Sequence, residues 1–173
     1  MAMTSNTGRG MTAEERDEFL TSGAVFAKIA TTMADGWPVV SPVWFEWRAR
    51  NRAFLIVSKA RTSMVQNLHR DPRCGVLVDN PALPYKRVSV LGEAEFLPGE
   101  FDWITPARKM VERYLGPGGM AYAESTFDFP REPFLVHARK MTTWNGGGFD
   151  RTFSAATVWH DMSESTSPRS PGS

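Results

Sequence analysis

The feature of this sequence that most constrains its fold is a succession of β-rich segments interrupted by few helices. Each segment is rich in β-branched and aromatic residues and is bounded by turn-forming residues, which is typical of strands. Because strands and helices do not alternate, the pattern favours a mainly β protein with flanking helices, built as a β-barrel. The predicted strands cover residues 24–32, 37–47, 53–58, 74–78, 85–96 and 134–144, with a short further strand over 152–159.

Three segments between the strands carry helix signals. Thr12 and Glu15 have the spacing of a capping box, which marks the start of a helix. Proline disfavours helical geometry in the residue before it, so the pair Asp71-Pro72 ends a second helix. A third segment carries apolar residues at helical spacing. The predicted helices cover 12–22, 63–70 and 102–115, and residues 145–148 are predicted to form a turn.

Length and composition indicate one ordinary globular domain. The chain has 173 residues, of which 42% are hydrophobic. Gly-, Ser- and Pro-rich ends predict flexible tails at 1–11 and 161–173 around a single domain at 12–160. Lys plus Arg total 20 against 19 Asp plus Glu, so no overall charge draws the protein to nucleic acid or to a membrane. No apolar run approaches the ~20 residues that cross a bilayer, and no signal peptide is visible, so we expect a cytoplasmic protein.

The segment most informative about function runs from Ser58 to Ser63. It lies between a predicted buried strand and the start of a predicted helix, where backbone amides are unpaired and the helix dipole is positive. With the cations Lys59 and Arg61 and several hydroxyls, it suits a phosphate. The alternative is that Thr62 or Ser63 only caps the helix and both cations are solvated. The spacing by itself does not decide between the two.

A second informative segment is the aromatic run between Ser41 and Trp47. Strand alternation sends Trp44 to one face and Phe45 and Trp47 to the other. One face is then core, and the other is either the wall of a pocket for a planar ligand, a subunit interface or more core. The same alternatives apply to Tyr85 and Trp144, whose neighbours favour the rim of a pocket.

Metal and thiol chemistry are not predicted. The three histidines lie on different predicted elements and have no ligand spacing, so we expect no metal site. Cys74 is the single cysteine and has no reactive-site context, so we expect a buried structural thiol.

Several short motifs occur in a fixed order over about three quarters of the chain: Ala30-Thr31 with Asp35-Gly36-Trp37-Pro38, Pro42-Val43-Trp44-Phe45, Asn67-Leu68 with Asp71-Pro72-Arg73, Pro84-Tyr85, and Gly92-Glu93-Ala94. Their order and spacing resemble the pyridoxamine 5′-phosphate oxidase-like split β-barrel superfamily. Within it the chain is most similar to the flavin/deazaflavin oxidoreductase B group, which uses coenzyme F420.

This resemblance implies a homodimer with two equivalent cofactor clefts at the interface. It further implies that the strand at 53–58 runs along the tricyclic ring of the cofactor, and that the following loop and helix start bind its phosphate. Tyr85 and Trp144 match positions that approach the cofactor, often from the partner subunit. The cofactor-binding residues expected from sequence and resemblance together are Trp44, Val57, Ser58, Lys59, Arg61, Thr62, Ser63, Asn67, Tyr85 and Trp144.

The chain departs from its relatives at one position. Many of them carry a phosphate-binding lysine three residues before the Asn-Leu pair, where this chain has Met64. Charge-assisted hydrogen bonds contribute roughly 1.5–3 kcal/mol each, so the loss weakens cofactor binding unless another cation replaces the lysine. Lys59 and Arg61 are the candidates.

The function expected is hydride transfer from reduced F420 to an unsaturated small-molecule acceptor. The cofactor supplies the chemistry, so no catalytic side chain is required. One alternative is an FMN-dependent oxidase or reductase with the same fold. Another is a non-catalytic protein that binds a flavin, haem or another tetrapyrrole. Oxidation of pyridoxamine phosphate itself is disfavoured, because the arginine-rich C-terminal motif of those oxidases is missing from the sequence.

Overall fold

The computed structural model describes residues 9–146 and 159–162, and in them eight strands form one antiparallel sheet. The strand order is β2-β1-β5-β6-β7-β4-β3, with β8 added beside β7. Together with the four flanking helices, this confirms a mainly β fold. The strands are β1 (Ala27–Thr32), β2 (Pro38–Val43), β3 (Glu46–Arg48), β4 (Ala53–Lys59), β5 (Arg73–Asn80), β6 (Tyr85–Phe96), β7 (Arg131–Gly146) and β8 (His160–Asp161).

The helices begin and end where capping chemistry allows. Thr12 accepts the Glu15 amide through its hydroxyl, and the Glu15 carboxylate accepts the Thr12 amide at 2.9 Å, so the predicted capping box is present. None of the helices in the described part of the chain is long and apolar enough to span a membrane. The helices are α1 (Ala13–Thr21), α2 (Ser63–Arg70), α3 (Ile104–Leu115) and α4 (Met120–Glu124).

The prediction of a single strand over 37–47 is wrong, because the chain changes its pairing strand in the middle of this segment. β2 pairs with β1, as predicted for a hairpin, whereas β3 pairs with β4 at the other end of the sheet. Trp44 and Phe45 lie between the two strands. The Phe45 amide bonds the Tyr114 hydroxyl at 3.4 Å instead of a neighbouring strand. The predicted separation of Trp44 from Phe45 and Trp47 still holds, since Phe45 and Trp47 are buried and Trp44 is half-buried.

The last long strand extends beyond its predicted ends. Asn145 and Gly146, predicted to turn, continue β7, because Gly146 pairs with Tyr85 and Asn145 exchanges two backbone hydrogen bonds with Arg9. The predicted turn residues 147 and 148 and the predicted strand residues 152–158 lie outside the described residues, and Trp159 is not in a strand.

Residues beyond both ends of the predicted domain at 12–160 contact the sheet or the core. Arg9 pairs with Asn145, and the Met11 amide donates to the Thr143 hydroxyl at 2.8 Å. At the other end, Asp161 belongs to β8 and Met162 packs against the core. The packed unit therefore includes residues from both predicted tails, and the remainder of those tails lies outside the described residues.

The core positions β4, the strand on which the candidate site is built. Phe54 and Ile56 point into the main core, whereas Leu55 and Val57 alternate to the opposite face, beneath α3. Leu55 is fully buried there. A strand covered on both faces needs a continuous apolar run, which explains the unbroken sequence from Ala53 to Val57.

Candidate functional site

The end of β4 offers an open backbone edge. Along one edge, β4 pairs with β7 over its full length from Ala53 to Lys59. Along the other edge, β3 pairs only with residues 53–55. The backbone groups of residues 56–59 that face away from β7 therefore have no strand beside them among the described residues. The Lys59 carbonyl accepts the Thr62 amide at 3.2 Å, so the part of this edge that is open to a ligand lies before that carbonyl.

The loop after β4 leads directly into the start of α2. The Thr62 hydroxyl accepts the Val65 amide at 3.3 Å, so Thr62 is the N-cap, as the capping alternative predicts. The Ser58 hydroxyl lies 3.2 Å from the Thr62 hydroxyl and joins the strand end to the cap. Because the first amides of a helix have no intrahelical acceptor, Ser63 and Met64 present N–H groups to a ligand here.

Two cations flank these amides. Lys59 and Arg61 are both exposed. The Lys59 ammonium lies 5.0 Å from the centre of the Phe129 ring, and Arg61 has no ion pair or hydrogen bond within the described part of the chain. Capping and anion binding are therefore compatible, because Thr62 uses one amide and leaves the neighbouring amides and both cations available. These residues fit a phosphate group.

Met64 contributes no side chain to that anion site. It is 4% exposed and packs in the main core with Leu68 and Val65. The cations in the loop before this helix are Lys59 and Arg61.

Asn67 is held inside the protein. Its side-chain amide donates to the Thr31 hydroxyl at 3.0 Å, and both residues are buried. The Arg70 guanidinium also donates to the Asn67 side-chain oxygen, at 3.2 Å. These contacts join α2 to β1, so Asn67 fixes the position of the helix that carries the anion site.

Beside the loop lies a cavity of about 240 Å³, between α3, α4 and the outer face of β4. Val57 and Lys59 of β4 and Trp44 line it, as do Ala107, Met110 and Val111 of α3. Its aromatic lining is completed by Trp103, Tyr122 and Phe127. Three of the residues predicted for cofactor binding, Trp44, Val57 and Lys59, thus meet in one apolar cavity adjacent to the anion site.

Trp44 is held in place by an aromatic stack. Its ring lies 5.3 Å from that of Tyr114 at an interplanar angle of 6°, and the Phe26 ring also stacks on that of Tyr114, at 5.3 Å. The Tyr114 hydroxyl donates to the Val25 carbonyl at 3.2 Å. Burial raises the pKa of Tyr114, which keeps this hydroxyl protonated. The tryptophan wall of the cavity is therefore preorganised.

The floor of the cavity carries two cations from neighbouring strands. Lys59 and Arg131 are directly opposite each other in the β4–β7 register. The Arg131 guanidinium donates to the Thr126 carbonyl at 3.1 Å and to the Thr126 hydroxyl at 2.8 Å. Burial lowers the pKa of Arg131.

Other predicted site residues lie elsewhere in this chain. Tyr85 begins β6 and pairs with Gly146, and Trp144 pairs with Arg87, so neither lines the cavity. The Cys74 thiol is buried and lies 3.7 Å from the Gly92 carbonyl, and burial raises its pKa to about 12. Among the described residues no group of three or more His, Cys, Asp and Glu side chains is arranged for a metal.

Sequence reasoning missed the far side of the cavity. Its residues Trp103, Tyr122, Phe127 and Arg131 were not selected. Tyr122 lies on the short α4, where the glycine-rich stretch before it hides any helical period, and the other three lie outside α4 and come to the cavity only through the fold. The isolated tryptophan at 103 was the one available signal.

The fold is shared with proteins of known structure that bind different cofactors. An F420 reductase matches at 22% identity with a TM-score of 0.56, covering 72% of this chain and 94% of that one. A FAD-binding protein from Mesorhizobium loti matches at 20% identity with a TM-score of 0.60, covering 83% of this chain and 100% of that one. HutZ, the haem storage protein of Vibrio cholerae, matches at 18% identity with a TM-score of 0.58, covering 78% and 95%. At such identities the likeness concerns the fold alone.

No curated protein matches this chain. The sequence profile described as pyridoxamine 5′-phosphate oxidase matches residues 12–145, which include every strand from β1 to β6 and most of β7. Profile and fold agree with the resemblance drawn from the short motifs. The chain belongs to the pyridoxamine 5′-phosphate oxidase family, in its split β-barrel form.

Proposed function

We propose that this protein is an oxidoreductase that binds coenzyme F420 at the end of β4 and transfers a hydride from the reduced cofactor to an unsaturated small-molecule acceptor. The observation that carries the proposal is the adjacency of two features of β4. A phosphate-type anion site at residues 59–63 directly follows the open backbone edge of the strand, and the aromatic cavity lies beside both. A ligand with a phosphate and a planar ring matches the anion site and the open edge, and the cavity is left for the acceptor.

In this proposal the residues of the chain bind the cofactor and orient its ring. Arg61, Lys59 and the free amides at the start of α2 hold the phosphate, and the open edge of residues 56–59 aligns the ring. Trp44 and the α3 residues above Val57 exclude water from the reacting face. When bound, reduced F420 would supply both the hydride and the proton that complete the reduction of the acceptor, because its oxidation releases one of each, so this proposal needs no acid or base side chain.

A homodimer in the cytoplasm is part of the proposal. Tyr85 and Trp144 lie away from the cavity of their own chain, as expected if they serve the site of a second copy. Several apolar side chains of this chain are also exposed, among them Trp37, Val40, Leu83 and Leu91. Pairing of two copies would cover such residues.

The second candidate is an FMN-dependent oxidase or reductase, because FMN also presents a ring and a phosphate to the same loop. A haem protein is less well supported by the side chains at hand. None of the three histidines lines the cavity, and His69 and His137 are paired with Glu132 and Glu95 at 2.5 and 2.6 Å. His69 or His137 would have to leave its glutamate before it could hold a haem.

Replacing Arg61 with alanine tests the phosphate site. Loss of one charge-assisted hydrogen bond is expected to weaken F420 binding by roughly 10- to 100-fold, measured by fluorescence titration. Arg50→Ala is the matched control, because Arg50 is an exposed arginine in the short turn between β3 and β4. Equal affinity of Arg61→Ala and wild type would remove the loop from the site.

A further inference from the structure

The polar groups that line the aromatic cavity are cations or carry donors. Lys59 and Arg131 are the charged residues among its lining, and Thr126, Tyr122 and Trp103 bear hydroxyl or indole N–H groups. No aspartate or glutamate of the described chain lines the cavity. A pocket of this composition favours a ligand with negative charge.

The two cations are placed against each other. Residues that are directly opposite in an antiparallel pair project from the same face, and like charges at such positions are destabilising. Lys59 and Arg131 are such a pair. Neither forms an ion pair with a carboxylate in the part of the chain that the structure describes. An anion between them would attract both cations and so outweigh their mutual repulsion.

Arg131 is held in position at a cost in solvation. One end of its guanidinium is fixed by the two hydrogen bonds to Thr126, whereas its Nε is buried without a hydrogen-bond partner. A partly desolvated, immobilised guanidinium interacts more strongly with an anion than a solvated one does. An anionic ligand in the cavity would offset this desolvation through the charge of the guanidinium, since Nε itself is out of reach of the cavity.

The aromatic walls and the volume of the cavity restrict the size and shape of the uncharged part of the ligand. Trp44 is fixed by its stack on Tyr114, and the Trp103 ring meets the Phe127 ring edge-on at 5.5 Å. At about 240 Å³, the cavity lies below the range of roughly 300–1,000 Å³ of ordinary ligand pockets, so it suits a small flat molecule.

We infer that this cavity binds the hydride acceptor as a small, planar, conjugated carboxylate, with Arg131 and Lys59 holding the carboxylate and the tryptophan-lined walls holding the conjugated body. The inference rests on the proposed function for the role of acceptor, and deepens it by assigning the acceptor's chemical class. Binding of the carboxylate itself does not require the cofactor.

Calorimetric titration of the cofactor-free protein with 2-naphthoate, and separately with its neutral analogue 2-naphthamide, tests the assignment. Wild type is expected to bind the carboxylate at least about tenfold more tightly than the amide. Arg131→Gln keeps a donor for Thr126 but removes the charge, and is expected to reduce the preference to about threefold or less. Arg139→Gln is the matched control, because Arg139 lies on the same strand but is exposed and paired with Glu93.

The outcomes separate the two proposals. No preference for the carboxylate in wild type, no binding of either probe, or a preference retained in Arg131→Gln overturns the assignment. If Arg131→Gln does not fold, Lys59→Gln decides in the same way. The same proteins are titrated with F420. Failure of wild type to bind F420, together with a charge-dependent preference for naphthoate, contradicts the proposed function and leaves the anion-binding cavity supported.

Discussion

Lys59 is the residue at which the two parts of the candidate site meet. It ends β4, opens the loop that carries Arg61, and lies directly opposite Arg131 on the cavity floor. It was selected from the sequence for its place before a helix, which is a local signal. Arg131 lies far along the chain, and only the β4–β7 register brings it there, so no local pattern could have identified it.

At the residue scale, Gly92 is predicted to tolerate no side chain. A Cβ there would lie 2.7 Å from a Val136 methyl group and 2.8 Å from the His137 carbonyl oxygen, at the irregularity where the β6–β7 register shifts. Gly92→Ala is expected to lower the free energy of unfolding by about 2 kcal/mol, as overpacking does. Urea denaturation measures the change.

Gly75→Ala on the neighbouring strand is the control for that prediction. Its Cβ would meet the Ala30 Cβ at 3.7 Å, which is an ordinary contact. We expect its stability to stay within about 1 kcal/mol of wild type. Equal losses for the two variants would contradict the steric explanation.

The free energy of unfolding is expected to depend on pH through the Cys74 thiol. Burial raises its pKa in the folded state to about 12, whereas the thiol of an unfolded chain has its ordinary pKa of 9.0. The folded state therefore keeps a proton that the unfolded state loses. The contribution is fully present below about pH 9 and is lost as the pH rises towards 12, by up to about 1.4 kcal/mol per pH unit.

Unfolding free energies of wild type and Cys74→Ala, compared between pH 8 and pH 10.5, check this prediction. We expect the wild-type value to fall relative to that of the variant above about pH 9. Parallel curves over that range would show that Cys74 does not keep its proton in the folded state.

At the scale of elements, α3 forms the roof of the cavity and is held through its last turn. The Arg113 guanidinium donates to the carbonyls of Gly23 at 2.6 Å and Leu20 at 3.0 Å, and packs 5.0 Å from the centre of the Phe45 ring. These contacts join α3 to the last turn of α1 and to the segment that follows it. The roof is thus fixed to the barrel from outside the cavity.

Arg113→Met is expected to reduce the free energy of unfolding by about 2–3 kcal/mol, because the carbonyls lose charge-assisted donors. Arg108→Met on the same helix is the control. Arg108 pairs with Glu124 at an exposed site, where ion pairs contribute about 0–1 kcal/mol. Guanidinium denaturation of both variants measures the difference, and a larger loss for Arg108→Met would contradict this view of α3.

Elements with local signals were predicted well. The helix at 63–70 and the strand at 85–96 match α2 and β6. The helix has its cap and its terminating proline in the local sequence, and the strand has its own alternation of side chains. The break at Trp44 and Phe45 was not predicted, since it depends on tertiary contacts with Tyr114 and on the change of partner from β1 to β4. The cavity needed both the break and α4, so only its β4 side and Trp44 could be predicted.

At the scale of the whole molecule, the exposed edge of the sheet is the feature that a single chain leaves unexplained. β2 is the last strand at one end, and Val40 on it is 62% exposed. Trp37, just before β2, is 71% exposed. An open edge with apolar side chains is a liability unless another chain covers it.

The proposed homodimer is therefore expected to include β2. Light scattering after gel filtration should give twice the chain mass of 19.3 kDa. Val40→Glu is expected to shift the protein towards the monomer, because a buried unpaired carboxylate opposes association. Ile104→Glu, at another exposed apolar residue, which lies on α3, should leave the mass unchanged. Wild-type protein at the monomer mass would contradict the dimer.

The proposal that this protein binds coenzyme F420 is tested by titrating the purified wild-type protein with F420 and with FMN in parallel. Fluorescence and absorption are followed in both titrations. We expect saturable binding of F420 at one equivalent per chain, with affinity at least about tenfold above that for FMN. Bound FMN with negligible F420 affinity would contradict it in favour of a flavoprotein. A Soret band in the purified protein would contradict it in favour of a haem carrier.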